Sequence, residues 1–493
     1  MNAQHTEFIE SYIDQSNNFS KTKLIDKTVQ NNGIHMKQQS ILRYLVLFLS
    51  IWIIIPSFYC FDQPVAIYKT LQQLFQEDQT INFDLYFASL YIIYAFGNAF
   101  FPLFTGGMRD CHGDRIIMTY IVAIMIMGQL TFTIGVYFKS FLLMILGRLL
   151  LGCGIESLLP LWSSFLAPFF KNSISIVLSI LQLFSQIGLV LSIYLTPIIQ
   201  KQYNLMTSLI SGIVFILFGY ILLCLGFLID KKLENENYLS SYRQLQPSSD
   251  IILTEDTKII NKLYFFKFKD FKIFPQMFWL LLAFNSMFFC SIVTLVNVSI
   301  YIMASVLFDT NNQIEELDIA LFWMLGCLSL FIIGPLVQYF TYRRYLIIVS
   351  VIIIIIGHIQ YLTSPHIGLI ILAVGYCLSF VCTWSAIIYI IKLKSFGKAF
   401  GLTVGFQNLI FVFMPFLLDV VNRNIMGTFK VLISFSLFAL ILAIQILVED
   451  IRCFNILDNK LAPMQFAKIN NVSNEENNNN DTDLFAEYLE KPQ

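Results

Sequence analysis

The chain has 493 residues, of which 57% are hydrophobic and 13% charged, with a formal net charge of -1 and a mean hydropathy of +0.70. A soluble protein of this length needs far more charge to cover its surface. The near-neutral balance excludes a basic nucleic-acid platform, so no nucleic acid is expected as a partner.

Residues 1–40 are polar and are expected to form a disordered cytosolic tail. Apolar runs follow near 41–61, 83–105, 115–137, 140–166, 174–199 and 205–229. A second set falls near 275–306, 317–341, 345–363, 366–391, 400–420 and 427–449. Crossing a bilayer takes a helix of roughly 20 residues. In lipid every backbone N–H and C=O must be satisfied within its own segment, so the runs are helices. The first is not a signal peptide, because a polar tail precedes it and no small-residue cleavage site follows. The expected fold class is an all-α membrane protein with twelve transmembrane helices. Its expected divisions are an N-terminal six-helix bundle over 41–230, a cytoplasmic linker over 231–273, a C-terminal six-helix bundle over 274–449 and an Asn-rich cytosolic tail over 450–493.

Lys and Arg in the short loops set the expected orientation. With both termini cytosolic, the cytoplasmic loops hold Arg109, Arg115, Lys171, Arg343, Arg344, Lys392, Lys394 and Lys398. The opposite loops carry little more than Lys69, Lys139, Lys201 and Arg423, together with the acidic Asp309, Glu315, Glu316 and Asp318. The nine cysteines are scattered, mostly inside spans, with no haem, zinc or redox spacing, so neither a structural disulfide nor a metal site is expected.

Two charged turns punctuate the chain. The first reads Gly106-Gly107-Met108-Arg109-Asp110-Cys111-His112-Gly113-Asp114-Arg115. The second, about 228 residues later, runs from Gly334 through Gln338 and Thr341 to Arg343-Arg344. Each stands between the second and third apolar run of its half, the plan of a secondary transporter built from repeats. Gly106 and Gly113 allow two helices to approach and turn. Asp110 can accept hydrogen bonds at a helix end or pair with a basic group on a facing helix. Arg115 opens the third span. In the fourth span Gly147-Arg148-Leu149-Leu150-Leu151-Gly152-Cys153-Gly154 sets a costly charge among glycines that admit a neighbouring helix.

The first turn resembles the Gly-x-x-x-Asp-x-x-Gly-x-Arg signature of the major facilitator superfamily, and Arg148-x-x-x-Gly152-x-Gly154 resembles its fourth-helix motif. Narrower matches are Phe58-Tyr59-Cys60-Phe61-Asp62-Gln63-Pro64, Gly154-Ile155-Glu156-Ser157-Leu158, Phe169-Phe170-Lys171, Gly375-Tyr376 with Trp384, and Phe396-Gly397-Lys398-Ala399-Phe400-Gly401 with Gln407-Asn408. They resemble a branch of lysosomal dipeptide uniporters that work with a glycosylated single-span accessory subunit. The resemblance implies two six-helix bundles, a lysosomal membrane and that partner. It also implies that a fourth-helix acid and a fifth-helix arginine bind the charged ends of the dipeptide. Glu156 matches the acid. The arginine's place falls on Gln186 or Ile187, and the span from Ser173 to Ile199 has no basic residue. A neutral amide cannot replace a bidentate guanidinium for a carboxylate.

The expected substrate-binding residues are Glu156, Gln186, Trp384, Gln407 and Asn408. The expected conformational residues are Asp62, Gly106, Asp110, Gly113, Arg115, Arg148, Gly152 and Gly154. Glu156 either meets the solute or pairs with Arg148 eight residues earlier. Asp62 gates a mouth or caps a helix. Trp384 stacks on a solute or packs. Gln407 and Asn408 line a cavity or join helices, and His358 is read as a structural histidine. No nucleophile, metal or phosphate-binding constellation is present, so an enzyme or cofactor is not expected. The expected function is alternating-access uniport of a dipeptide or amino-acid-derived solute. The alternatives are a carrier for another cation, sugar or organic solute, and a non-transporting sensor or structural subunit.

Overall fold

The apolar runs become helices because lipid offers the backbone no other partner. The computed structural model describes residues 41–75, 83–167, 169–170, 173–235, 274–306, 316–391, 395–420, 425–453 and 456–458. Among them are twelve helices long and apolar enough to cross a membrane. The first six are α1 (Ile41–Ala66), α2 (Phe83–His112), α3 (Asp114–Tyr137), α4 (Phe141–Leu166), α5 (Ile174–Gln202) and α6 (Leu205–Asn235). The second six are α7 (Gln276–Val306), α8 (Glu316–Phe340), α9 (Arg343–Thr363), α10 (Pro365–Ile390), α11 (Phe396–Val420) and α12 (Ile425–Arg452). The expected tail over 1–40, most of the linker and the chain beyond 458 lie outside the described residues.

Helices α1–α6 pack into one bundle and α7–α12 into a second. Several helices run past their apolar stretch, because hydrogen-bonded backbone continues into the polar interface. This corrects the reading of Gly106–Arg115 as a turn. Helix α2 continues through Gly106 to His112, and Gly113 alone breaks it, at φ 82° and ψ 164°. That backbone region is open essentially to glycine only. In the second half Thr341 makes the break, at φ 54°. Asp110 lies on α2, and its side chain is outside the described residues.

The end of the molecule with these two turns is called the tail side below. There each half is tied by the same device. The Arg115 Nε on α3 donates to Asp230 Oδ2 at the end of α6, 2.7 Å away. In the second half Arg344 Nη1 on α9 donates to Asp450 Oδ2 at the end of α12, 3.2 Å away. Both acids are fully buried. Arg109, a charge without an expected partner, pairs with Asp114 at 2.8 Å, and Ser164 of α4 donates to the same carboxylate oxygen at 2.7 Å.

Two seams join the bundles. Along α2 and α11 a Cβ on Gly106 would collide with the Gly397 carbonyl, and one on Gly401 with the Pro102 carbonyl. A Cβ on Gly405 would sit 2.7 Å from the Ala99 carbonyl oxygen. Along α5 and α8, Gly334 lies against Ser179, and Gln338 Oε1 accepts the Ser175 backbone N–H at 3.2 Å. Gln338, which stands where the first turn has an acid, thereby satisfies a donor in the first turn of α5. Both seams occupy the tail-side half and close it. Within the first bundle Gly152 lies against the Tyr94 carbonyl and Gly154 against Met125, the close packing expected of them.

Two outcomes follow from these geometries. Gly113→Ala should lower stability by roughly 1–3 kcal/mol through backbone strain alone, because a Cβ there meets nothing within 4 Å. An unchanged thermal unfolding curve would contradict this. Gly106→Leu should force α2 from α11 and populate a form open on the tail side. A cysteine placed at Ser179 would then react with a tail-side maleimide roughly tenfold more, the signature of a shift of about 1.4 kcal/mol. Equal labelling in a folded variant would count against the seam as the closing contact.

Candidate solute cavity

Between the bundles lies a cavity of about 960 Å³, its solvent mouth included. It draws walls from both bundles: α1, α2, α4 and α5 on one side, α7, α8, α10 and α11 on the other. Among the described residues that line it, Glu156 is the only carboxylate, and there is no Lys, Arg or His. Aromatic rings form most of the remainder, including Phe58, Tyr94, Phe288, Trp323, Tyr376 and Trp384.

Glu156 stands on α4 between Gly152 and Pro160. It makes no hydrogen bond or ion pair with another described residue. Tyr94 of α2 and Tyr376 of α10 lie close enough to feel its charge. An unpaired carboxylate inside a membrane costs several kcal/mol unless something meets it. The expected internal partner, Arg148, does not. Its buried guanidinium donates to the Cys60 carbonyl at 3.3 Å. It also lies 4.7 Å from the ring of Tyr91, 5.0 Å from Tyr94 and 5.6 Å from Phe61. Those rings line the cavity, so they stand between Arg148 and the solute space.

Asp62 is buried inside α1 within electrostatic reach of Arg148. It does not cap the helix, which corrects that reading of it, and it is not among the residues that line the cavity.

Four of the five expected substrate-binding residues, Glu156, Trp384, Gln407 and Asn408, face the cavity. The Gln407 Oε1 accepts from Asn285 Nδ2 at 2.7 Å, and Asn408 Nδ2 donates to the Val404 carbonyl at 3.0 Å. Trp384 both lines the space and packs, stacked on Phe400 with centroids 5.1 Å apart. The fifth, Gln186, is a correction. It is fully buried in the seam, where its amide donates to Cys377 Sγ at 3.2 Å and Gly326 leaves room for it. The cavity face of α5 carries Gln182 and Ser185 instead, and Gln182 Nε2 donates to the Tyr376 hydroxyl at 3.4 Å. Gln182, Ser185 and Leu189 follow i, i+3, i+7 spacing, and Gln186 at i+4 belongs to the same helical stripe, so spacing alone does not separate it from the cavity face. His358 is buried with its ring nitrogens against the Ile354 and Ser291 carbonyls, at 2.9 and 3.2 Å, away from the cavity.

Known proteins share this architecture. The family model described as Major Facilitator Superfamily matches residues 41–415. The lysosomal dipeptide transporter MFSD1 of Bos taurus is 23% identical over 386 residues, covering 74% of this chain and 76% of that protein. Its Homo sapiens counterpart is 22% identical over 386 residues, covering 74% and 77%. Among solved structures, the proton:xylose symporter XylE aligns with a TM-score of 0.63 at 13% identity, over 82% of this chain and 95% of that one. The human organic anion transporter MFSD10 (TETRAN) aligns with a TM-score of 0.59 at 12% identity, over 81% and 99%. With its family model matched over most of its length and its twelve helices in two bundles around a central cavity, this chain belongs to the major facilitator superfamily, a family of membrane transporters.

Proposed function

We propose that the protein carries a small amine-bearing solute, a dipeptide or amino-acid-derived compound, across its membrane by alternating access. Glu156 carries this reading. A carboxylate without a partner, placed where both bundles contribute walls, is stabilised when an ammonium group enters. The lining is otherwise apolar and aromatic, with a few convergent amides, which is the composition of a small-molecule site. Closure of the two tail-side seams gives one end state, and rocking of the bundles about the cavity gives the other.

The likeness to lysosomal dipeptide transporters supports both the solute class and a lysosomal membrane. The loop charge bias supports cytosolic termini, with the tail side facing the cytosol. A single carboxylate among the described lining residues favours uniport, in which the solute moves down its own gradient. A glycosylated single-span subunit, implied by the resemblance, belongs to the same proposal.

Counterflow in proteoliposomes tests this. Vesicles preloaded with unlabelled leucyl-alanine should accumulate the labelled dipeptide. Glu156→Gln should reduce the initial rate at least about tenfold, the loss expected of one charge-assisted contact. The same variant should melt at or above the parent, because it removes an unpaired charge and breaks no ion pair. Counterflow unaffected by Glu156→Gln would remove this residue from the site. Absence of counterflow by parent protein that binds the dipeptide would favour a non-transporting sensor.

A further inference from the structure

The balance of charge in the cavity bears on more than the amine end. A dipeptide is a zwitterion, and its carboxylate must be desolvated on entry as fully as its ammonium. Eleven of the twenty-one described lining residues are Phe, Tyr or Trp, and none of the twenty-one is a cation that could receive an anion. Its neutral donors are partly engaged already: Asn285 donates to Gln407 and Gln182 to Tyr376. The buried cation Arg148 lies against Phe61, Tyr91 and Tyr94, within electrostatic reach of Asp62. The α5 residues that line the cavity are Gln182, Ser185 and Leu189, all neutral. Ring faces and a single carboxylate attract a cation. The same carboxylate repels a second anion held in the same low-dielectric space.

Resting on the reading of this cavity as the transport site, we propose that it selects monovalent organic cations over zwitterions. The preferred cargo is a protonated amine held at Glu156 whose other end is uncharged, as in an amino-acid amide, a peptide amide or a decarboxylated amine. Specificity comes from what the site withholds as much as from what it offers. An unpaired carboxylate left in the aromatic space is penalised, whereas a carboxamide N–H can donate to the side-chain oxygens of Asn408 and Ser185, whose own donors are turned to the Val404 and Leu181 carbonyls.

The test uses the purified full chain and three probes that share their side chains: leucyl-alanine, leucyl-alanine amide and N-acetyl-leucyl-alanine. Binding is read as the rise in melting temperature with ligand concentration. The amide should bind at least about tenfold more tightly than the free dipeptide, a difference of about 1.4 kcal/mol. The N-acetyl dipeptide, which has lost its ammonium, should give no rise. Free dipeptide binding as tightly as the amide, or more tightly, overturns the proposal and leaves the amine-binding transporter reading intact. Tighter binding of the N-acetyl dipeptide, or no response to any probe, overturns both.

Discussion

The structure depends on how closely two helix backbones can approach across the interface between the bundles. Helices α2 and α11 meet through glycines at Gly106, Gly397, Gly401 and Gly405, with the carbonyls of Ala99 and Pro102 filling the places of missing side chains. In lipid there is little hydrophobic gain from bringing helices together, so close packing between small residues carries much of the association. Such a seam is firm when closed, because backbone meets backbone with no side chain between. The second seam, between α5 and α8, adds Ser179 against Gly334 and Gln338 against the Ser175 amide. In the proposed transport cycle these two seams are the tail-side gate. The ion pairs at this end tie each bundle internally, Arg115 to Asp230 and Arg344 to Asp450, so each bundle can move as a body.

The cavity above the gate is built on the opposite principle. Arg109, Asp114 and Arg148 are buried, and each has an opposite charge in reach. Glu156 does not, and it is also the carboxylate that faces the cavity. Charge has an opposite charge in reach where it supports structure and has none where we propose that a solute enters. The aromatic wall of Phe61, Tyr91 and Tyr94 keeps the two regimes apart, because its rings cover Arg148 on one side and line the solute space on the other.

Much of this was legible in the sequence because lipid imposes simple rules. Twelve apolar runs had to be twelve helices, and an acid within the fourth had to face something polar. Glu156, Trp384, Gln407 and Asn408 stood out accordingly by type and position, and all four line the cavity. What could not be read was lateral: which face of a helix meets which neighbour. Gln186 and Gln182 are one turn apart on α5, with similar chemistry, yet one is spent in the seam and the other lines the cavity. Asp230 and Asp450 fall just past the apolar runs 205–229 and 427–449, and nothing in the sequence marks their arginines, more than a hundred residues away, as partners. The Gly106–His112 stretch read as a turn because its charges interrupt the apolar run. Helical hydrogen bonding is indifferent to that interruption once Arg109 has Asp114 to pair with.

The central claim is that the two bundles close one end of the cavity as they open the other, and that an amine at Glu156 shifts the balance. Pulsed electron spin resonance distances would test it directly. One spin-label pair would sit at the tail side, on the exposed His112 and Tyr342, and a second at the far side, on Phe138 and Thr363. The account predicts two distance populations whose shifts are opposite in sign at the two ends, and whose ratio changes with leucyl-alanine amide in the parent and not in Glu156→Gln. Distances that stay fixed, or that lengthen and shorten together at both ends, would contradict it.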